Sequence, residues 1–447
     1  MRINERRLLV VSQLLVAASL VGCGSGGKTQ SMAPVGTAGS TATGGASASG
    51  GASSAGSASK AGDGAMPSGG AAGTTGSGGA STTAGSAGSG GVSAQAGSAG
   101  TSGQPSGGSS TAAFMLGADI SSATESSLTY RDVDGTTKPL LDVLKNHGFN
   151  YIRLKTFVDP NAPYGYSSSA NGCQGLAEAF GDRDHVIAAG KKAKQAGMGF
   201  LLDLHYSDTW ADPGNQIIPQ IWRSAPTIND LAALMKAYTT DIVSKAIAAG
   251  ARPDMIQIGN EITAGLLKDI PGASTDCWGN NPDPAPFGGS TSKWDDLATL
   301  LKAGIQAVRD VDPTIKVMLH IENTDDLAGV RWWVDNAQSR GVSFDVLGLS
   351  CYVAFQGQPT VWKATLDDLV VRYPTLKFAI AEYNPERTQA NLIVKQLPDQ
   401  RGLGTFFWEP TRAGDWGAAL FEFNGNTASA ISADFAEFDK LRPQLGL

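Results

Sequence analysis

Cysteine and histidine are both scarce, four of each in 447 residues. So few thiols and imidazoles exclude a disulfide-built scaffold and argue against a multi-metal centre. Positive charge is short as well: 34 Lys and Arg against 41 Asp and Glu leave a net charge of -7. A nucleic-acid binder needs clustered Lys and Arg, so nucleic acid is not an expected partner. Charged residues reach only 17% and aromatics 7%, while glycine reaches 57. Dilution of that kind arises when a segment without core-forming residues is joined to an ordinary domain.

Residues 1–22 read as an address. Arg2, Arg6 and Arg7 precede an apolar run that ends in Leu20-Val21-Gly22-Cys23, and the run is too short to span a membrane comfortably. The last four residues resemble the bacterial lipobox, in which the signal is removed before the cysteine and the thiol carries diacylglycerol. Cys23 is therefore the expected lipidation site and first mature residue; the plainer alternative is a secretory signal with an incidental cysteine. Acyl chains anchor firmly, at about 0.8 kcal/mol per buried CH₂. Gly24 in place of Asp resembles the outer-membrane sorting pattern, so the expected location is exported and lipid-anchored at the bacterial outer membrane or cell surface.

Residues 23–112 are expected to be a disordered tether. From Gly24 to Ala112 there is no Leu, Ile, Phe, Tyr or Trp, and the only charges are Lys28, Lys60 and Asp63. Without apolar surface to bury, nothing offsets the entropy of ordering. A Gly/Ser/Ala/Thr coil of that length reaches on the order of 50 Å.

The remainder, 113–447, alternates short apolar runs with longer helical patterns, the signature of parallel strands joined by crossover helices. Eight runs are present, at 114–119, 149–155, 199–205, 255–261, 315–321, 344–352, 378–383 and 404–408. Helical patterns fall at 140–147, 185–195, 231–248, 297–309, 328–338, 366–372 and 431–441, with Gly148, Gly197, Gly250 and Gly341 as C-terminal stops. The fold class is α/β, and the economical architecture is a single (β/α)₈ TIM barrel, expected as a monomer. This part is acidic, with 29 basic and 39 acidic side chains.

Asp119, Arg153, His205, Glu261, His320, Tyr352, Glu382 and Trp408 stand at or near the C-terminal ends of these strands, which converge on one mouth. Alternation places Gln257, Gly259 and Glu261 on one side of the fourth strand, and Phe378, Ile380 and Glu382 on one side of the seventh, consistent with both glutamates facing inward. Asn260 is out of phase with Glu261, so the strand must bulge or end there. Two facing carboxyls suit glycosidic cleavage, one as proton donor and one as nucleophile. A separation of about 5 to 5.5 Å is expected, the retaining geometry, as against more than about 6.5 Å for inversion.

Five stretches stand out: Leu116-Gly117-Ala118-Asp119-Ile120-Ser121, Tyr151-Ile152-Arg153-Leu154, His205-Tyr206-Ser207-Asp208-Thr209-Trp210-Ala211-Asp212-Pro213, Gln257-Ile258-Gly259-Asn260-Glu261-Ile262 and Trp408-Glu409-Pro410. Together they resemble glycoside hydrolase family 53, the arabinogalactan endo-β-1,4-galactanases. The resemblance implies Glu261 as acid/base and Glu382 as nucleophile, with Asn260 on the sugar 2-hydroxyl. Arg153 and Tyr352 would hold Glu382 ionised, Asp119, His205, Asp208 and Trp210 would line the sugar cleft, and Trp408 would lie under the sugar. The implied partner is galactan or arabinogalactan. After the seventh strand, Tyr383-Asn384-Pro385-Glu386-Arg387 departs from the family pattern. No Asp- and Asn-rich insertion follows it, so neither calcium nor any cofactor is expected.

Other readings bear on the remaining residues. A metal hydrolase built on Asp203, His205, Asp208 and His320 lacks a His-x-His pair, and His205 and His320 are better placed to bond sugar or glutamate. Cys173 and Cys277, in loops after the second and fourth strands, can pair in an exported protein, with Cys351 a buried thiol; three pairings are formally open. His147 and His185 are expected at the surface or as caps, and Trp332-Trp333 as core packing. Two alternatives to a galactanase stay open: a retaining barrel acting on a β-1,4-glucan or mannan, and an anchored barrel that binds polysaccharide without cutting it.

Overall fold

The computed structural model describes residues 113–168, 180–414 and 416–447. The expected signal, Cys23, the tether and Cys173 lie outside the described residues. Eight parallel strands close into a barrel: β1 (Met115–Asp119), β2 (Tyr151–Thr156), β3 (Gly199–Leu204), β4 (Met255–Ile258), β5 (Lys316–Ile321), β6 (Val346–Cys351), β7 (Lys377–Tyr383) and β8 (Gly402–Trp408). Each pairs with its neighbour in sequence, and β1 closes on β8 with Met115 opposite Gly404 and Asp119 opposite Trp408. A helix follows each strand: α1 (Leu140–Asn146), α2 (Arg183–Gln195), α3 (Ile228–Ala248), α4 (Trp294–Val311), α5 (Leu327–Ser339), α6 (Pro359–Arg372), α7 (Arg387–Lys395) and α8 (Ser432–Leu445). The (β/α)₈ reading requires a helix after β7, but no helical pattern located α7 in the sequence.

Four helices stop by one device. Gly148, Gly197, Gly250 and Gly341 adopt φ of 90°, 76°, 79° and 71°. The next amide then reaches back five residues: Phe149 to Leu144, Met198 to Ala193, Ala251 to Ala246 and Val342 to Ala337. This is the Schellman pattern, which satisfies carbonyls orphaned at a helix end and turns the chain straight into the following strand.

The barrel is filled. Tyr151, Leu201, Met255, Met318, Val346, Ala379, Ala381 and Phe406 pack together inside it, while alternate residues such as Ile152, Leu202, Ile256, Leu319, Phe378 and Ile380 pack outward in the larger core. Gly117 is required here, because a Cβ on it would meet the Phe406 ring at 2.3 Å. Toward the C-terminal ends, the inward positions turn polar, and Asp119, Arg153, Asp203, Gln257, His320 and Ser350 are all buried.

This pattern corrects the expected phase of β7. Phe378 and Ile380 face the outer core, so strict alternation would send Glu382 outward. The ladder skips Ala381: Leu349 pairs with Ile380 and Ser350 with Glu382, with a matching shift against β8. That bulge resets the phase and turns Glu382 into the mouth.

Two other expectations need amendment. His147 caps α1 but is buried, not exposed, between Asp132 (2.9 Å) and Asp439 (3.0 Å). It ties the end of α1 to α8. Trp333 is buried against Trp294, whereas Trp332 is 46% exposed; one helical turn cannot hide two successive side chains on the same face. His185 contacts Asp182, the N-cap of α2, at 2.8 Å.

Candidate active site

The strand β4 ends at Ile258, and the chain turns sharply there. Gly259 and Glu261 both have positive φ, 79° and 47°. Ending the strand lets the adjacent side chains Asn260 and Glu261 both serve the mouth, which a continuing pleat forbids. The bulged β7 supplies Glu382 from the opposite wall. One carboxylate oxygen of Glu261, one of Glu382 and a ring nitrogen of His320 all lie within 4.8 Å of one another.

Arg153 organises the floor of this mouth. Its Nη1 lies 2.8 Å from Asp119 Oδ2 and 3.0 Å from Glu382 Oε1. Its Nη2 donates to Asp203 Oδ2 (2.9 Å) and Asn260 Oδ1 (2.8 Å), and its Nε to Gln257 Oε1 (3.2 Å). The guanidinium is wholly buried. Burial alone would lower its pKa, but Asp203, Glu382 and Asp119 outweigh that and keep it charged.

Glu382 is 5% exposed. The Tyr352 hydroxyl donates to its Oε2 at 2.9 Å, while among the described residues Oε1 has the ionic contact with Arg153 and no aligned donor. Burial raises its pKa to about 7, against the pull of Arg153 and Tyr352. Glu261 has no cation beside it. Burial, and then the charge of Glu382, hold its pKa well above the usual carboxylate range. The proton of the pair therefore resides on Glu261, and Glu382 ionises first.

Asn260 Nδ2 donates to Ala211 O (2.9 Å), and the Asn260 backbone carbonyl accepts from Gln216 Nε2 (2.8 Å). His320 places Nδ1 2.9 Å from Asn260 Oδ1 and Nε2 2.9 Å from Ser350 Oγ, which lies 2.6 Å from Glu261 Oε1. With both ring nitrogens engaged, the trio of Glu261, His320 and Glu382 offers a metal ion no free imidazole nitrogen. His205 accepts from the Ala211 amide at 3.1 Å and sits 3.0 Å from Asp203 Oδ2.

Trp210 and Trp408 meet edge to face at 5.9 Å, and Lys155 Nζ stands 4.2 Å from the Trp210 ring centroid. Glu409 follows Trp408 with φ 47° and accepts from the Ser122 hydroxyl at 2.8 Å. Burial raises its pKa to about 7, opposed by Lys155. Among the described residues, Trp210 Nε1, Gln216 Oε1 and Glu409 Oε2 are buried without a hydrogen-bond partner.

Asp119, Arg153, Asn260, Glu261, His320, Tyr352 and Glu382 thus form one bonded cluster, His205 joins it through Asp203, and Trp210 and Trp408 flank it. Asp208 stands apart. Its carboxylate accepts from the amides of Asp159 (3.0 Å) and Gln220 (2.7 Å) and clamps two loops. Sequence reasoning missed Asp203, Gln257 and Ser350 as members of the cluster. The available signal was period: they are polar residues at inward positions of otherwise apolar strands. Cys277 is disulfide-bonded, and Cys351 is a buried free thiol whose pKa burial pushes up.

The departure after β7 has a structural use. Asn384 donates to Trp408 O (3.1 Å) and Ala418 O (3.0 Å), bracing the segment beyond β8.

The profile of glycosyl hydrolase family 53 matches residues 115–392. An arabinogalactan endo-β-1,4-galactanase of Thermothelomyces thermophilus is 30% identical over 63% of this chain and 84% of its own. Among solved structures, the family 53 catalytic domain of Ignisphaera aggregans superposes with a TM-score of 0.60 at 28% identity, covering 73% of this chain and 95% of that one. A structure from a study of two fungal β-1,4-galactanases gives 0.60 at 27% identity, covering 74% and 100%.

Proposed function

This chain belongs to glycosyl hydrolase family 53, and on that premise we propose that it is a retaining endo-β-1,4-galactanase acting on galactan and arabinogalactan. The observation that carries the mechanism is that one oxygen of Glu261 and one of Glu382 lie within 4.8 Å of each other, a closeness that suits a retaining pair.

In the first step a Glu382 oxygen bonds to the anomeric carbon as the bond from that carbon to the leaving oxygen breaks, and Glu261 gives its proton to the leaving oxygen. In the second, Glu261 takes a proton from water, whose oxygen displaces Glu382. Two inversions give net retention. The change of role follows from charge: ionised Glu382 helps to keep Glu261 protonated, and esterification removes that field. Asn260, fixed by Arg153, His320, Gln216 and Ala211, is set to grip the sugar 2-hydroxyl, a contact that strengthens in the transition state. The Trp408 and Trp210 faces suit the C–H face of galactose, and the free polar atoms of Trp210, Gln216 and Glu409 suit its hydroxyls.

The test is reducing-end release from β-1,4-galactan, arabinogalactan, cellulose and mannan. Product from galactan is expected. Product from cellulose or mannan alone would replace the substrate, and retention on a glycan without product would replace the enzyme by a binding barrel. A mechanism-based galactosyl label should be found by peptide mass spectrometry on Glu382, and Glu382→Ala should abolish turnover with the fold intact.

We also propose that a signal at 1–22, lipidated Cys23 and the tether to residue 112 carry the 113–447 domain as a monomer outside the cytoplasm. The support is the lipobox-like Leu20-Val21-Gly22-Cys23 and the tether composition. Cys23→Ser should move the protein from the membrane fraction to the soluble fraction; unchanged membrane association would refute the anchor.

A further inference from the structure

Behind Glu261 lies a line of hydrogen bonds whose direction can be worked out atom by atom. Arg153 is donor-only, so its Nη2 contact at 2.8 Å makes Asn260 Oδ1 an acceptor, and the Ala211 carbonyl at 2.9 Å from Nδ2 fixes the same amide orientation. The nearest partner of His320 Nδ1 is that acceptor, at 2.9 Å. Gln257 Nε2 is farther from Nδ1, at 3.3 Å, and has nearer acceptors for its two hydrogens in Asp203 Oδ1 (2.7 Å) and the Gly259 carbonyl (3.0 Å). His320 Nδ1 therefore carries the hydrogen. His320 is fully buried and faces Arg153, and burial followed by that charge pushes its pKa well down. A neutral ring with its hydrogen on Nδ1 leaves Nε2 as an acceptor, and the hydroxyl 2.9 Å away belongs to Ser350. Ser350 has one hydrogen. If it goes to His320, only lone pairs remain for Glu261 Oε1 at 2.6 Å.

We propose that His320 and Ser350 are positioning residues forming a one-way hydrogen-bond chain, oriented by Arg153 through Asn260, that couples the protonation state of Glu261 to Asn260. The proposal rests on the assignment of Glu261 as acid/base and deepens it. While Glu261 bears its proton on Oε1, the line runs Glu261 to Ser350 to His320 to Asn260, with each hydrogen donated once. When Glu261 is ionised, the Ser350 hydroxyl swings to donate to it, and His320 Nε2 is left without a donor. No covalent bond changes in that swing, but it costs one buried hydrogen bond. The Ser350 hydroxyl donated to ionised Glu261 pulls its pKa down, and the bond then lost at His320 opposes that pull, on the side of burial and of the carboxyls that face Glu261 from other elements, Glu382 on β7, Glu322 beyond β5 and Asp212 beyond β3. It also makes Asn260 feel the protonation state of Glu261 through the ring between them.

The test is spectroscopic and uses the whole protein. Its four histidines permit ¹⁵N-histidine labelling, with His320 identified by loss of its signals in His320→Gln. The expected result is the Nδ1–H tautomer for His320. Its Nε2 shift should move with pH although the ring stays neutral, at the same midpoint as the basic limb of kcat/KM. Ser350→Ala should abolish that movement. Glu261→Gln, whose amide can donate to Ser350 as the acid does, should hold the shift at its low-pH position. An Nε2–H tautomer, or an Nε2 shift that ignores the ionisation of Glu261, overturns the proposal. These signals are read without substrate, so a protein that shows them but cleaves no galactan would overturn the galactanase assignment and not the chain.

Discussion

Replacing Tyr352 with phenylalanine deletes one oxygen, the hydroxyl 2.9 Å from Glu382 Oε2. The tyrosine is buried and its own pKa stands well above the ordinary value, first from burial and then from Glu382, so it remains a neutral donor throughout the working range. Its loss leaves the charged carboxylate with the Arg153 contact alone. A hydrogen bond to a charged group contributes about 1.5–3 kcal/mol, and one pKa unit corresponds to about 1.4 kcal/mol. The Glu382 pKa should therefore rise by about 1 to 2 units. The nucleophile must be ionised, so the acid limb of kcat/KM on β-1,4-galactan should move to higher pH by that amount. On that limb the loss at fixed pH should be about ten- to a hundredfold, with a smaller loss on the plateau. The basic limb, set mainly by Glu261, should move much less. Initial rates of reducing-end release across the pH range measure both limbs. An acid limb that stays in place would refute Glu382 as the ionised nucleophile held by Tyr352.

Two further perturbations probe other parts of the molecule. Glu261→Ala should slow galactan cleavage by about 10²- to 10⁴-fold. It should spare the first step on an aryl galactobioside whose leaving group needs no proton, and azide should then yield a β-galactobiosyl azide. Equal losses on both substrates would reject Glu261 as the acid. Gly117→Ala drives a methyl to within 2.3 Å of the Phe406 ring and 2.9 Å of Thr405 O, so it should cost about 1–3 kcal/mol of stability; calorimetry showing an unchanged melting transition would mean that the barrel interior has slack.

The barrel was legible because its signals are local and repeated. Each of the eight runs overlaps an observed strand, and the four glycine stops sit where a left-handed residue is required. The helix α7 escaped because it is nine residues long and buries polar Asn391 and Arg387 beside Ala390, Ile393 and Val394, so its apolar stripe is broken. Glu382 was found by type and strand end, but its inward turn depends on a bulge at Ala381 that no residue pattern announces. The strand end at Asn260-Glu261 was foreseen from the clash of phase. Ser350 was overlooked, and Gln257 was placed on the inward side without a role, because one serine or glutamine in an apolar strand is unremarkable until cross-strand distances show what it meets. Trp332 shows the converse limit, since adjacency in sequence does not decide which of two neighbours a helix buries.

The side-chain plug from Tyr151 to Phe406 leaves no passage along the barrel axis. A long glycan cannot be threaded through this molecule; it has to drape over the rim, with both of its ends free in solution. Any interior linkage that settles between the two carboxyls is then open to attack, so cutting in mid-strand is the natural outcome of a tube whose bore is stoppered.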